Sequence, residues 1–77
     1  MDVFFARKYL EDYLAKNTQR HWLKEIREID DDAFIFNLDY LAEGLIYHTW
    51  LKVCKEQHRI LIYEFGELRY TYPCVIS

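Results

Sequence analysis

The stretch that decides the fold is 45-LIYHTWLKVCKEQHRILIYEFGELRYTY-72, the densest run of apolar and aromatic residues in the chain. β-Branched and aromatic residues favour extended backbone, and polar interruptions at residues 55–57 and 66–67 divide the run into successive predicted strands. The first of these, residues 45–53, is apolar on both of its alternating faces. Such a strand either lies between two layers or leaves an apolar patch exposed. The last strand ends at Pro73, which belongs at a strand end or a sheet edge.

Upstream of this stretch, the pattern predicts a hairpin closed by an acidic turn. Residues 33–38 (AFIFNL) form a clear strand, and three consecutive aspartates before them are a turn signal. Residues 21–29 complete the hairpin as an extended segment, although their spacing also fits a helical face. A second helix within residues 20–29 is therefore the alternative.

The Ala42-Glu43-Gly44 triplet predicts a three-residue hairpin loop, in which Gly44 takes the left-handed conformation. A helix within residues 39–56 is the alternative here. Gly44 inside that helix would cost about 1 kcal/mol relative to alanine, and the aromatic and β-branched residues that follow favour a strand.

The N-terminal segment predicts an amphipathic helix of about four turns. Asp2 is a candidate N-cap, and Asn17 suits a left-handed residue at the C-terminal end. Charged residues occupy one side of this helix, and apolar residues recur at helical spacing on the other. The apolar set is Val3, Ala6, Tyr9, Leu10, Tyr13 and Leu14.

Together these elements predict an α+β fold, with the N-terminal helix packed on one face of an antiparallel β-meander of about five strands. Consecutive short hairpins need no crossover connections, which excludes a parallel sheet. A length of 77 residues predicts a single domain, 1–77. The 52% hydrophobic content, with only three Gly and Pro residues, excludes a disordered chain.

The net charge of −3 is unevenly distributed. Residues 29–43 hold five acidic residues and no basic one, and the rest of the chain is slightly positive. No basic stripe exists, so we expect no direct contact with nucleic acid. No apolar run approaches a membrane span, and the N-terminus lacks the pattern of a signal peptide, so we expect a cytoplasmic protein that does not bind membranes.

Cys54 and His58 are the one pair that suggests site chemistry. They flank the predicted turn at residues 55–57, where a thiol and an imidazole would lie nearly opposite each other and could pair or hold zinc. The spacing matches no standard zinc module and has no second pair nearby. We therefore predict no metal, no cofactor and no enzyme activity. Cys54 and Cys74 are predicted to be reduced thiols, with a disulfide as the alternative in an oxidising compartment.

The aromatic content of 18% favours a small protein–protein interaction module, an inhibitor or adaptor, and possible homodimer formation. Its general character resembles that of small inhibitors encoded by phages and mobile elements. The partner would bind the helix-free sheet face or an edge strand. The candidate anchors are Tyr47, Trp50, Tyr63, Tyr70 and Tyr72.

Two alternative functions remain open from the sequence. In one, an acidic patch imitates nucleic-acid phosphates and blocks a nucleic-acid-binding enzyme. That patch would consist of Asp30, Asp31, Asp32, Asp39 and Glu43. In the other, Cys54 and His58 form a metal or thiol site.

Overall fold

The computed structural model describes residues 1–73, which form one helix followed by five strands. The neighbouring strands are all antiparallel and follow the chain order β1-β2-β3-β4-β5. The predicted α+β meander is confirmed, and the alternative helices within residues 20–29 and 39–56 are wrong, because cross-strand pairing outweighs the helical spacing there. The elements are α1 (Val3–Asn17), β1 (Arg20–Asp30), β2 (Ala33–Ala42), β3 (Leu45–Glu56), β4 (Arg59–Glu64) and β5 (Glu67–Pro73).

Helix α1 begins as the sequence predicts and ends differently. The Asp2 carboxylate accepts a hydrogen bond from the Phe5 backbone N–H at 2.8 Å, as an N-cap does. At the other end, Thr18 is extended, and its N–H and hydroxyl both donate to the Leu14 carbonyl at 2.8 and 2.6 Å. The predicted left-handed conformation of Asn17 is wrong, because Thr18 already satisfies the carbonyl that a left-handed cap would serve.

The connection between β2 and β3 has two residues rather than the predicted three. Glu43 (φ 54°) and Gly44 (φ 77°) both have positive φ, which is the pattern of a type I′ turn. This turn matches the right-handed twist of the strands, so the pairing continues up to the turn itself. Phe65 (φ 49°) and Gly66 (φ 84°) connect β4 and β5 in the same way, which corrects the predicted turn at residues 66–67. The β3–β4 turn is likewise two residues, 57–58.

The core lies between α1 and one face of the sheet, called here the helix-covered face. Its central side chains are at most 1% exposed. The residues that α1 contributes to this fully buried centre are all small or aliphatic. Burying each large apolar side chain stabilises the fold by roughly 1.5–3 kcal/mol relative to leaving it in water. The fully buried set comprises Ala6, Leu10, Leu14, Phe36, Leu38, Leu51, Val53, Ile60 and Ile62.

Polar contacts tie α1 to both margins of the sheet. Glu11 lies 2.7 Å from Nε2 of His21 in β1, and Asp12 accepts a hydrogen bond from the Tyr72 hydroxyl of β5 at 2.7 Å. The helix is therefore fixed across the width of the sheet. The opposite face, called here the open face, has no second layer within residues 1–73.

Candidate functional site

The centre of the open face is polar. Nδ1 of His48 lies 2.6 Å from an Asp39 carboxylate oxygen, and the Lys24 ammonium lies 3.9 Å from the same oxygen. Beside them, the Asn37 amide donates to the Glu25 carboxylate at 3.2 Å. Although the sequence of residues 45–53 is apolar on both faces, β1 and β2 add paired polar residues to the open face.

Aromatic side chains surround this polar centre. Trp50 and Phe65 meet edge to face, with ring centroids 5.6 Å apart and planes at 87°. On the other side, the Arg20 guanidinium lies 5.4 Å from the Trp22 ring. Phe65 is 57% exposed and Trp22 is 40% exposed, so both rings present apolar surface to solvent.

A broad, shallow depression of about 650 Å³ occupies the polar centre and is open to solvent. Its floor is the twisted sheet, and Trp50 and Phe65 form its aromatic wall. The lining side chains on this face are Lys24, Glu25, Asn37, Asp39, His48, Trp50 and Phe65.

At its other end, the open face is closed by its own side chains. Ala33, Cys54 and Leu61 form a small buried cluster, and the half-buried Tyr63 packs against it. The Lys52 ammonium lies 5.9 Å from the centre of the Tyr63 ring. Tyr63 therefore serves mainly as a local cover, and the exposed aromatic surface of this face lies around the depression.

The five predicted anchors do not share one surface. Pairing of β3 with its neighbours places Trp50 and Tyr63 on the open face. Tyr47, Tyr70 and Tyr72 lie on the helix-covered face. Alternation along the strands thus divides the candidate anchors between the two faces of the sheet.

Tyr70 and Tyr72 help to hold the helix on the sheet. Their ring centroids are 4.5 Å apart, Tyr72 lies 5.3 Å from Tyr9, and Tyr70 lies 6.2 Å from Tyr13. Burial and the hydrogen bond to Asp12 raise the pKa of Tyr72 well above its ordinary range. Burial also raises the pKa of Tyr13. Tyr13 and Tyr72 are thus neutral at physiological pH.

Tyr47 has a different environment from the other tyrosines of this face. Its ring stacks on Tyr40 at a centroid distance of 5.0 Å and an interplanar angle of 17°. It remains 39% exposed, next to the exposed Leu45 and Ile46 at the start of β3. This end of the β2–β3 hairpin thus exposes three consecutive large apolar side chains.

The predicted acidic residues do not form a single patch. Asp30, Asp31 and Asp32 lie at one end of β2 and Glu43 at the other, and the ten residues of β2 span roughly 33 Å. One of the Asp32 oxygens lies 3.1 Å from the N-terminal ammonium. Asp39, in the middle, is paired with His48. The array that would imitate a phosphate backbone is therefore dispersed and partly neutralised.

The predicted juxtaposition of Cys54 and His58 is wrong. Cys54 lies opposite Leu61, whereas His58 belongs to the two-residue turn, because that turn is shorter than the sequence predicted. The Cys54 thiol is free and buried, and burial raises its pKa. Residues 1–73 contain no group of three or more His, Cys, Asp or Glu side chains arranged for a metal ion. Cys74, the other predicted thiol, lies outside the described residues.

The pairing of Asp39 with His48 was missed by the sequence analysis, although the sequence contains its signal. With a two-residue turn at residues 43–44, counting back along the hairpin places Asp39 opposite His48. A three-residue loop would instead place His48 opposite Leu38, and His48 and Asp39 would then lie on different faces of the sheet. The left-handed conformation of Glu43 decides between the two, and a glutamate gives little indication of it.

No protein-family model, curated protein or solved structure matches this chain. Within residues 1–73, no helix is both long enough and apolar enough to cross a membrane. The interpretation of the site therefore depends on its own geometry and chemistry.

Proposed function

We propose that this protein is a small protein–protein interaction module, of the inhibitor or adaptor kind, that binds a partner protein with its open face. The observation that carries the proposal is an aromatic rim, formed by the exposed Trp22 and Phe65 and the half-buried Trp50, around a paired polar centre. Trp and Tyr are enriched among the residues that dominate the binding energy of protein interfaces, and polar groups commonly surround such residues.

The layer architecture supports the same proposal. Stable domains bury each sheet face against another layer or leave that face polar and wet. The open face is neither covered by another layer nor polar throughout, because both tryptophans of the chain lie on it and Trp22 is 40% exposed. A partner protein on this face would remove the rings from water and leave the central ion pairs intact.

The polar centre would supply specificity more than affinity. Lys24, Asp39 and His48 present charges of both signs within a few ångströms of one another, so a partner would need a complementary arrangement. Because the aromatic rim would provide most of the binding energy, we expect binding to persist at high ionic strength. A complex that dissociates between about 0.1 and 1 M salt would instead indicate a mainly electrostatic interaction.

The experiment is affinity capture from a lysate of the native host, followed by mass spectrometry and binding measurements with the captured protein. Trp22→Ala and Trp50→Ala should each weaken binding by about tenfold or more. The matched control is Phe4→Ala, since Phe4 is 79% exposed and is on α1, away from the open face. Thermal unfolding of each variant separates a lost contact from a lost fold.

Two outcomes would contradict the proposal. One is a partner that binds both tryptophan variants as tightly as the wild type. The other is a partner whose binding is lost in Phe4→Ala, because that result would place the interface on the helix.

A further inference from the structure

Half of β3 has no neighbouring strand on one side. β3 has twelve residues and β4 has six, and β4 pairs with β3 only from Leu51 to Glu56. The first six residues of β3 pair with β2 on one side, and no other strand of residues 1–73 lies on their other side. Residues 45–50 are called here the free edge.

The main chain of the free edge directs hydrogen-bonding groups outward. The Lys55 N–H donates to the Asp32 carbonyl on the β2 side at 2.8 Å, and the β2–β3 register has no interruption. The N–H and C=O groups of successive residues point to alternate sides of an antiparallel strand. Those of Tyr47 therefore also point toward β2. Ile46 and His48 therefore direct their N–H and C=O groups away from β2, toward the free edge.

The free edge has none of the features that protect exposed strands. Its sequence, LIYHTW, contains no proline and no residue with a permanent charge, and Leu45, Ile46 and Tyr47 are 60%, 58% and 39% exposed. By contrast, β1 is interrupted by register shifts and carries many charges, and β5 has a register shift and ends at Pro73. Unpaired backbone of this kind pairs with an added strand.

We propose that the free edge binds the free edge of a second copy of this chain, in antiparallel orientation about a two-fold axis. Because the free edge has no residue with a permanent charge, it can pair with itself with little electrostatic repulsion, and a two-fold axis makes the contact self-complementary and closed. The resulting sheet would contain ten strands, and the exposed apolar side chains of both hairpin ends would be covered. The contact would be made by the main chain at the edge of the sheet, although His48 and Trp50 of this edge also line the depression of the open face.

The position of β4 limits the register of this pairing. Glu64 already occupies the place beside Leu51, so the second strand must end before it. Alignment of Tyr47 with Tyr47 of the other copy meets this condition and places Ile46 opposite His48. It forms about four main-chain hydrogen bonds and brings the two Tyr40–Tyr47 stacks together. Alignment of His48 with His48 would place Leu45 of one copy on Glu64 of the other.

Disulfide trapping tests the contact and its register. In a background of Cys54→Ala and Cys74→Ser, Tyr47→Cys should form a disulfide-linked dimer, because directly opposite residues of a non-hydrogen-bonded pair have Cα atoms about 4.5 Å apart. Phe4→Cys, on the outer side of α1, is the control for random collision. His48→Cys reports the excluded register. Cross-linking of Tyr47→Cys no faster than that of Phe4→Cys, or slower than that of His48→Cys, would overturn the proposal.

Sedimentation of the unmodified chain over a range of concentrations supplies an independent test. Ile46→Pro removes an outward N–H and should raise the dimer dissociation constant by about tenfold or more, whereas Ile46→Ala keeps the N–H and should have a smaller effect. Circular dichroism verifies that both variants fold. A wild-type chain that stays monomeric at millimolar concentration, or an equal effect of the two variants, would contradict the inference. Trp22→Ala should leave this dimer unchanged, which separates it from binding on the open face.

Discussion

The Tyr72 hydroxyl donates a 2.7 Å hydrogen bond to the Asp12 carboxylate and thereby joins β5 to α1. Lys16 lies 3.0 Å from the same carboxylate. The Tyr72 hydrogen bond and then the Lys16 contact lower the pKa of Asp12 below its ordinary value. A carboxylate with a lowered pKa in the folded state contributes stability above its unfolded pKa, and that contribution is lost as the pH falls through the folded pKa.

Tyr72→Phe should therefore raise the pKa of Asp12 toward its ordinary value and reduce the loss of stability in acid. The remaining contact with Lys16 should keep part of the lowering. NMR titration of the Asp12 carboxyl carbon measures the first effect, and urea unfolding at neutral and acidic pH measures the second. Tyr70→Phe is the matched control, because the Tyr70 ring contacts Tyr72 and no hydrogen bond joins it to Asp12. An Asp12 titration that is the same in both variants would contradict this role.

Leu10→Ala should strongly destabilise the fold, because Leu10 is 1% exposed at the centre of the α1–sheet core. Large-to-small substitutions of this kind cost about 2–5 kcal/mol, which is a large part of the stability of a small domain. Phe4→Ala should change the free energy of unfolding by less than about 0.5 kcal/mol, since Phe4 is 79% exposed. Urea unfolding followed by circular dichroism measures both. Similar effects of the two substitutions would contradict the assigned core face of α1.

Glu43→Asn should stabilise the protein. Glu43 takes a left-handed conformation (φ 54°) before Gly44, and Asn-Gly is a preferred pair for a type I′ turn. The gain should be up to about 1 kcal/mol, or several degrees in melting temperature for a domain of this size. Glu43→Gln removes the same charge without the left-handed preference and is the control. If both variants melt at the same temperature, the gain does not come from the turn conformation.

Cys54 should react slowly with alkylating agents in the folded protein, because its side chain is buried and burial raises the pKa of its thiol. In a Cys74→Ser background at mildly alkaline pH, alkylation should be on the order of tenfold or more slower in buffer than in urea. Phe4→Cys in a background without the native cysteines provides an exposed thiol for comparison. Equal rates for the two thiols would show that Cys54 is accessible.

Much of the fold could be predicted from the sequence, because its signals are local. The capping aspartate, the apolar spacing of the first helix and the alternation of the strands depend on neighbouring residues only. The turns were located approximately: those before β3 and β4 are each one residue shorter than predicted, and the one before β5 lies one residue earlier. Their conformations rely on left-handed Glu43, Gln57 and Phe65, and these residue types do not indicate positive φ.

The candidate site depended on those lengths. A change of one residue in a turn moves every later side chain to the other face of the sheet, so the partners of His48 and Cys54 could not be assigned in advance. Residue type alone identifies the five candidate anchors, but alternation along separate strands divides them between the two faces of the sheet.

By itself, the sequence determined that this chain folds as one helix and a five-stranded antiparallel meander, because local backbone preference and side-chain periodicity suffice for that. Only the tertiary structure decided which residues of 45–72 face the helix, which surround the open face, and where β4 stops. Strand pairing is a relationship between distant segments, and its register follows from turn geometry. That geometry covers one face of the stretch with α1, places an aromatic rim on the other and leaves residues 45–50 with a free edge.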